Sequence, residues 1–284
     1  MIRERLILFT RFPVAGRAKT RLIPCLGAKG AAQLQREMTE PVLARIWPLA
    51  QRRAVTLEVR FEGGSEADMR RWLGGGLRFA SQGDGDLGAR MHRASTEAFD
   101  AGSQAVVIIG ADCPEVDAVR IQSAFQPLRA HRLVLGPARD GGYYLVGLSA
   151  ATPELFAGIP WGTREVLTTL VARARSVGLD PFLLPEAADV DEPADLEVWE
   201  KARRESRRVS VIIPTLNEAA HLPMTIGRAA AGPSVELIVA DGGSLDDTVC
   251  IAQAHGARVV IRATWINWLM KTRNQLRPPP SSAT

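Results

Sequence analysis

The sequence of 284 residues contains only three cysteines, Cys25, Cys113 and Cys250. They lie far apart and form no Cys-x-x-Cys pair, which argues against a disulfide framework or a cysteine-based zinc site and fits a reducing compartment. No run of about 18 apolar residues occurs, and the apolar run near the N-terminus is too short for a signal peptide. We therefore predict a cytoplasmic protein without a membrane span.

Common catalytic signatures are also missing. The phosphate-binding pattern Gly-x4-Gly-Lys-Ser/Thr, the nucleophile pattern Gly-x-Ser-x-Gly and the zinc pattern His-Glu-x-x-His do not occur. The four histidines are scattered without metal-ligand spacing. The 35 Lys and Arg residues exceed the 31 Asp and Glu residues by a net charge of +4, a field too weak to predict nucleic-acid binding. The composition is that of an ordinary globular protein.

Short apolar runs alternate with longer amphipathic stretches along the chain. Several of the runs are nearly all apolar, which is typical of strands buried on both faces, and the alternation predicts a mostly parallel α/β sheet flanked by helices. The predicted strands are 6–9, 55–61, 105–109, 133–135, 143–148, 209–213, 237–240 and 259–261. The predicted helices are 29–47, 87–99, 116–128, 164–177 and 194–204.

The charged run 201–208 separates two predicted α/β regions. We predict a first domain over 1–203, a partial second α/β module over 209–262 and an irregular, Pro- and Ser-rich tail over 263–284. The second region is about 54 residues long, which is too short for a complete nucleotide-binding domain.

The loop after the first strand is the main candidate for ligand binding. Arg11, Arg17, Lys19 and Arg21 place four cations within eleven positions, and Gly16 lets the backbone approach a ligand closely. In open α/β sheets, ligands bind at the carboxyl ends of strands, and such cations match a di- or triphosphate. The alternative is a basic surface loop without a ligand.

Carboxylates follow two later strand ends. Asp112 follows the apolar run 105–109 and is placed to hold Mg²⁺ against phosphate oxygens, or alternatively to cap the next helix. Asp189 and Asp191 share a face because they are two residues apart in extended chain, and Asp191 is the better candidate for a second metal ligand.

Further pocket candidates lie in three other segments, and each has a structural alternative. Asp140, Gly141 and Gly142 predict a pocket wall or a plain turn. The loop before the second helix offers further polar groups, although capping by Asp86 explains part of its composition. The remaining candidates for substrate contacts are Gln82, Asp86, Arg90 and, before a later helix, Trp161.

The chain from about residue 5 to 203 resembles a bacterial family of the nucleotide-diphospho-sugar transferase superfamily. The resemblance rests on six motifs in order, FTRFPVAGRAKTRLIP, GDGDLGARM, GADCP, GPARDGGYYLVGL, IPWGTREVL and DVDEPADL. The family is described as transferase 1 associated with radical-SAM and selenodomain proteins, or arsenosugar-biosynthesis glycosyltransferase. It implies a GT-A-like, Rossmann-related fold, similar to the guanylyltransferases that activate 2-phospholactate or the molybdenum cofactor.

The resemblance also implies a site. In such folds the basic first loop holds nucleotide phosphates and strand-end aspartates hold the metal, Mg²⁺ or Mn²⁺. Carried over to this chain, Gly16, Arg17, Lys19 and Arg21 would bind phosphate, and Asp112 and Asp191 would bind metal. The residues expected to carry catalysis are Asp112, Lys19 and, as the candidate general base, Asp140.

The expected reaction is metal-dependent glycosyl transfer from a nucleoside-diphosphate sugar to a small-molecule acceptor. Glycosyltransferases of this fold usually show Asp-x-Asp, whereas this chain reads Gly110-Ala-Asp112. Nucleotidyl transfer from a nucleoside triphosphate to a small phosphorylated acceptor therefore remains an alternative. A non-catalytic nucleotide-binding relic is the third possibility.

Residues 208–262 resemble the start of a family 2 glycosyltransferase, the companion transferase 2. VSVIIPTLNE and VADGGSLDDT match its first two motifs, and by resemblance Pro214, Asn217, Glu218 and Asp241 would border a nucleotide. No later Asp-x-Asp follows. We therefore expect a truncated module without independent activity.

Overall fold

The structure is a computed structural model that describes residues 3–51, 55–206, 209–229 and 235–261. The chain divides into two compact units, Met1–Glu200 and Lys201–Thr284. The segment 263–284, which the sequence predicts to be irregular, lies outside the described residues. Within the described ranges, no helix is both long enough and apolar enough to cross a membrane.

Up to residue 206 the chain alternates strands and helices. The strands are β1 (Glu4–Arg11), β2 (Val55–Glu62), β3 (Arg78–Ser81), β4 (Ala105–Gly110), β5 (Leu133–Pro137), β6 (Tyr143–Leu148) and β7 (Phe182–Leu183). The helices are α1 (Ile23–Gln51), α2 (Glu66–Leu73), α3 (Leu87–Asp100), α4 (Ala118–Phe125), α5 (Val166–Ser176) and α6 (Leu196–Ser206).

The sequence predictions omit three of these elements, α2, β3 and β7. The strands β3 and β7 are too short for their side-chain pattern to reveal a period. Helix α2 begins with a capping box: Ser65 Oγ accepts a hydrogen bond from the Asp68 N–H, and the Asp68 carboxylate accepts one from the Ser65 N–H. That start signal is present in the sequence and could have predicted the helix.

The order of the strands explains where a site can form. In the described part of the first unit, seven strands lie in the order β3-β2-β1-β4-β6-β5-β7. Strand β1 pairs in parallel with β2 and β4, whereas β6 runs antiparallel to β4 and β5. The segments that follow β1, β2 and β4 therefore leave the same edge of the sheet side by side.

Helices cover both faces of this sheet. Leu8 of β1 belongs to a buried cluster with Ile46 of α1 and Ile121 of α4. The preceding residue, Ile7, belongs to the cluster on the other face, with Met91 of α3. Alternate strand residues are thus buried on both sides, which explains the nearly continuous apolar runs. The predicted mostly parallel α/β sheet flanked by helices is confirmed.

The second unit contains a smaller α/β region. Its elements are β8 (Val209–Thr215), α7 (Leu222–Ala229), β9 (Val235–Asp241), α8 (Thr248–Ala254) and β10 (Arg258–Ile261). The strands are parallel, in the order β10-β9-β8. Leu222 and Ile226 of α7 and Ala252 of α8 are buried in one cluster with Val239 of β9. The described residues after 209 thus form an α/β region, in which the sequence analysis predicted the three strands but neither helix; that the module is partial stays a prediction.

Candidate active site

The segment after β1 begins with a basic side chain that is already paired. Arg11 donates from Nε to Glu62 Oε2 over 3.0 Å and from Nη1 to the Arg17 carbonyl over 3.0 Å. Gly16 has a φ of +83°, the left-handed conformation that glycine adopts without strain. Arg17 is exposed at this turn. Arg11 therefore helps to shape the loop, whereas Arg17 lies outside the cavity described below.

Lys19 and Arg21 meet the predicted acidic residues. The Lys19 Nζ lies 3.1 Å from Asp112 Oδ1 and 3.5 Å from Asp191 Oδ1, and it donates to the Val190 carbonyl over 2.6 Å. The Arg21 Nη1 donates to Asp191 Oδ2 over 2.8 Å. The structure thus brings together four of the predicted residues, Lys19, Arg21, Asp112 and Asp191, at one edge of the sheet.

Backbone contacts between distant segments create this meeting point. Asp112 lies two residues after the end of β4, and its carbonyl accepts from the Val190 N–H over 3.0 Å. Upstream, Ala187 forms an isolated parallel bridge with Ala138, beside β5. The segment that carries Asp191 is therefore held against the carboxyl end of β4, on the same edge as the loop after β1.

Asp189 adds a partly buried carboxyl group to this edge. Burial raises its pKa to about 6, and repulsion from Asp140 and Asp112 acts in the same direction. Carboxylates that lie near one another oppose each other's ionisation. The edge therefore carries negative potential in addition to the paired Asp112 and Asp191.

A cavity of about 460 Å³ opens at this edge. Its volume is in the range of small-molecule and cofactor sites. Among the described residues, the charged side chains that line it are Arg11, Lys19, Arg21, Glu62, Asp112, Asp189 and Asp191. Acidic groups thus outnumber basic ones, whereas the sequence suggested a surplus of positive charge. A pyrophosphate would need an additional cation to bind here.

The cavity also has polar residues that the sequence analysis did not identify. Glu62, the last residue of β2, accepts from Arg11 and from Arg90. The buried Gln35 of α1 donates to the hydroxyls of Thr10, over 3.3 Å, and Thr39, over 3.1 Å. The argument that selected Asp112, a carboxylate at the end of a predicted strand, would also have selected Glu62. Gln35 could not have been found, because nothing in the helical pattern distinguishes it from an exposed glutamine.

Gln82 is the predicted pocket residue that the structure places at the cavity wall after β3. Its Nε2 donates to the carbonyls of Thr10, over 3.1 Å, and Arg60, over 3.2 Å. Its Oε1 accepts from Arg90 over 3.3 Å. These bonds fix the amide between β1 and β2, so that Gln82 forms a rigid part of the wall, whereas the predicted pocket residue Arg90 contacts Gln82 from outside the cavity lining.

Two other predicted pocket residues, Asp86 and Trp161, do not line the cavity. Asp86 caps α3 by accepting from the Ala89 N–H over 2.8 Å, which is the alternative considered from the sequence. The Trp161 indole packs against Gly88 of α3, and its ring centroid lies 6.4 Å from that of Tyr143. Tyr143 lines the cavity, so Trp161 supports a wall residue.

The segment Asp140 to Gly142 also lies outside the cavity lining. Asp140 Oδ1 accepts from the Gly142 N–H over 2.7 Å, which is the local geometry of a turn. Gly141 has a φ of +92°, and its carbonyl accepts from the Leu167 N–H over 3.0 Å. These glycines therefore provide a tight junction between the β5–β6 turn and the start of α5.

The Gly141→Ala substitution should lower the free energy of unfolding by about 2–3 kcal/mol, measured by urea denaturation. A Cβ at this position would have to enter the left-handed region and would collide with the Arg164 carbonyl. Gly16→Ala is the matched control, because Gly16 also has a positive φ but has open space around it. Equal losses in the two variants would contradict the assigned collision.

The donor set at the cavity fits a divalent ion that binds together with phosphates. Within the described part of the chain, no group of three or more His, Cys, Asp or Glu side chains could hold a metal ion. Mg²⁺ is usually held by one or two carboxylates, while water and substrate phosphates complete its coordination. Asp112 and Asp191 supply such a pair, since both approach the same Lys19 nitrogen.

The second unit has its own polar cluster at the strand ends. Asp241, the last residue of β9, accepts from the N–H groups of Gly243, over 2.9 Å, and Ser244, over 2.8 Å. Burial opposes ionisation of Asp241, but hydrogen bonds from the Ser244 hydroxyl, from these two N–H groups and from the Thr215 hydroxyl outweigh it and hold its pKa below the usual value. Ser244 Oγ accepts from the Asn217 N–H over 2.8 Å. Nucleotide contacts by Pro214, Asn217, Glu218 and Asp241 stay a prediction.

Two family matches cover separate parts of the chain. Residues 46–163 match the family described as uncharacterized protein conserved in bacteria (DUF2064). Residues 210–275 match glycosyl transferase family 2. The first match lies within the unit that carries the cavity, and the second covers the region in which the sequence showed family 2 motifs.

Curated relatives match short stretches. The chain is 45% identical over 65 residues to glucosyl-3-phosphoglycerate synthase of Mycobacterium tuberculosis, which is 22% of this chain and 20% of that protein. It is 42% identical over 53 residues to an uncharacterized glycosyltransferase of Mycobacterium bovis, which is 19% of this chain and 23% of that protein. The chain thus spans about a fifth of the length of these relatives.

A solved structure gives a longer match. The crystal structure of a protein from Desulfovibrio desulfuricans G20, assigned provisionally as a nucleotide-diphospho-sugar transferase, is 33% identical. The match covers 73% of this chain and 90% of that protein, with a TM-score of 0.67. The prediction of a transferase is confirmed at the level of the family. This identity, together with the shared fold, shows that the chain belongs to the family of nucleotide-diphospho-sugar transferases.

Proposed function

We propose that the first unit is a divalent-metal-dependent glycosyltransferase that uses a nucleoside-diphosphate sugar and a small-molecule acceptor. The observation that carries this proposal is the contact of Lys19 and Arg21 with Asp112 and Asp191 inside one cavity. Cations and carboxylates in such an arrangement suit a ligand that brings both phosphate and a metal ion. We further propose, from the six ordered motifs, that the chain belongs to the transferase 1 group.

The roles of the side chains follow from their positions. Asp112 and Asp191 would hold Mg²⁺ or Mn²⁺, which, when bound, neutralises charge on the pyrophosphate of the donor. Arg21 is half exposed, so its guanidinium can turn from Asp191 to a phosphate oxygen. Positive groups held at this place stabilise the negative charge that develops on the leaving nucleoside diphosphate.

The transfer step forms a bond between the acceptor oxygen and the anomeric carbon of the sugar. The bond from that carbon to the diphosphate breaks, and its electron pair leaves with the nucleoside diphosphate. The acceptor proton must pass to a base. Asp140 is the candidate base from the sequence. It lies outside the cavity lining, where it accepts a hydrogen bond from the Gly142 N–H. Its role as base stays a prediction.

A thermal-shift panel tests the proposal. UDP-, GDP-, ADP- and CDP-sugars and the nucleoside triphosphates are each compared with and without Mg²⁺. We expect one nucleotide sugar with Mg²⁺ to raise the melting temperature most, because a ligand at 100 times its Kd stabilises the native state by about 2.7 kcal/mol. A panel in which neither class of nucleotide shifts the melting temperature would contradict the proposed site.

Nucleotidyl transfer remains the second candidate function, because one carboxylate follows β4 where an Asp-x-Asp pair would be expected. In that reaction a phosphorylated acceptor attacks the α-phosphate of a nucleoside triphosphate, and inorganic pyrophosphate leaves. A panel in which a triphosphate gives the largest Mg²⁺-dependent shift, with pyrophosphate as the product, would favour it. Release of a nucleoside diphosphate from a nucleotide sugar would favour glycosyl transfer.

A further inference from the structure

We propose that Lys19 is an internal counter-cation that keeps the Asp112–Asp191 pair closed to a free divalent ion. The ion would then enter together with a phosphorylated ligand, which draws the ammonium away from the carboxylates. This inference rests on the proposed function, because it concerns the same carboxylate pair. It assigns to Lys19 a role that differs from simple phosphate binding.

The hydrogen-bond capacity of Lys19 is the first argument. A lysine ammonium has three N–H donors. Three protein oxygens surround it, Asp112 Oδ1 at 3.1 Å, Asp191 Oδ1 at 3.5 Å and the Val190 carbonyl at 2.6 Å. Lys19 can therefore reach a phosphate oxygen only by giving up one of these partners.

The burial of the Lys19 side chain and the conformation of its backbone hold the ammonium in this position. The Lys19 side chain is only 4% exposed, unlike that of Arg21, which is 53% exposed. Its backbone has a φ of 46°, which is unfavourable for a residue with a Cβ and persists only where the surroundings hold it. The next turn supplies that support, since the Leu22 N–H donates to the Lys19 carbonyl over 2.9 Å and Leu22 is fully buried.

The charges around Asp191 give the second argument. Its Oδ1 faces Lys19 and its Oδ2 accepts from Arg21 over 2.8 Å, so each oxygen already has a cation. A free metal ion must displace the Lys19 ammonium from both carboxylates without offering it a new acceptor. A pyrophosphate offers such acceptors to Lys19 and Arg21, which makes joint entry of metal and phosphate more favourable than entry of metal alone.

Binding of Mn²⁺, followed by electron paramagnetic resonance, tests this inference without an activity assay. In the absence of nucleotide, we expect Lys19→Met to bind Mn²⁺ at least about tenfold more tightly than the wild type, because a competing positive charge is removed. The matched control is Lys29→Met, which makes the same change at an exposed lysine of α1 outside the cavity lining. It should leave Mn²⁺ binding within about twofold of the wild type.

If Lys19→Met does not fold, measurements on a second variant and on the wild type test the inference instead. Lys19→Gln retains two N–H donors for Val190 and a carboxylate but removes the charge, and it should also bind free Mn²⁺ more tightly. Wild-type protein should bind Mn²⁺ above the Asp112→Asn baseline when GDP or UDP is added. Equal or weaker binding of free Mn²⁺ in the folded Lys19 variants would overturn the inference.

The two proposals fail in different ways. If the wild type binds free Mn²⁺ as tightly as Lys19→Met and both exceed Asp112→Asn, the counter-cation role is wrong while the metal site stands. If neither protein exceeds the Asp112→Asn baseline, with or without nucleoside diphosphate, the metal site itself is wrong and the inference falls with it.

Discussion

Asp112→Asn is expected to lower turnover of the nucleotide sugar by at least about 10²-fold, the usual scale for losing one preorganised electrostatic group. Asparagine keeps the size of the side chain but cannot supply the negative charge that a divalent ion requires. The measurement is release of nucleoside diphosphate from the donor that the thermal-shift panel selects, over a series of Mg²⁺ concentrations. Loss of a metal ligand should also raise the Mg²⁺ concentration needed for half-maximal rate.

Asp180→Asn is the control for this experiment. It makes the same chemical change at an exposed aspartate outside the cavity lining and should keep full turnover. The Asp112 side chain is 45% exposed, so its loss should cost no more than about 1 kcal/mol of stability. If a folded Asp112→Asn protein kept the wild-type rate, the proposed metal-dependent transfer at this site would be wrong, because turnover would not need the Asp112 carboxylate.

The position of this site was predictable because it depends on the order of parallel strands. Apolar runs identified β1 and β4, and the carboxyl ends of neighbouring parallel strands meet at one edge of a sheet. The sequence therefore predicted that the loop with Lys19 and the strand end with Asp112 lie together. In the structure their charged atoms are 3.1 Å apart.

The pairing of charges within the site was not predictable in the same way. Lys19 contacts Asp191, a residue 172 positions later in the chain, and Arg11 contacts Glu62 at the end of another strand. Such partners depend on the exact approach of segments that are remote in sequence. The number of basic residues in the loop therefore suggested a strongly positive site. In the structure, carboxylates pair with most of these basic side chains.

The interior of β2 gives a second example of this limit. Glu58 and Arg60 interrupt an apolar run, and hydropathy alone would place such charged residues in solvent. Yet Glu58 is 4% and Arg60 is 3% exposed, because β2 lies inside the sheet between β1 and β3. With the buried Arg5 of β1, they form a network of ion pairs that no periodic pattern could reveal.

Glu58→Gln should lower the free energy of unfolding by about 3–5 kcal/mol, the usual cost of breaking a buried ion pair by removing one partner. The Glu58 carboxylate accepts from Arg5 over 3.0 Å and also from Arg60. Arg60 retains Glu97 as a partner, but Arg5 would stay buried without its carboxylate. Urea denaturation of the wild type and the variant measures the difference.

The matched control is Glu66→Gln, which breaks the exposed pair between Glu66 and Arg70 on α2 and should change stability by less than about 0.5 kcal/mol. The double variant Arg5→Met with Glu58→Gln should recover part of the loss, because the unpaired buried cation is then absent. This recovery separates electrostatics from packing: a cost due to altered shape would increase, or stay the same, when Arg5 is also replaced. A loss in Glu58→Gln as small as that in Glu66→Gln would mean that water reaches Arg5, and that the network contributes no more than a surface pair.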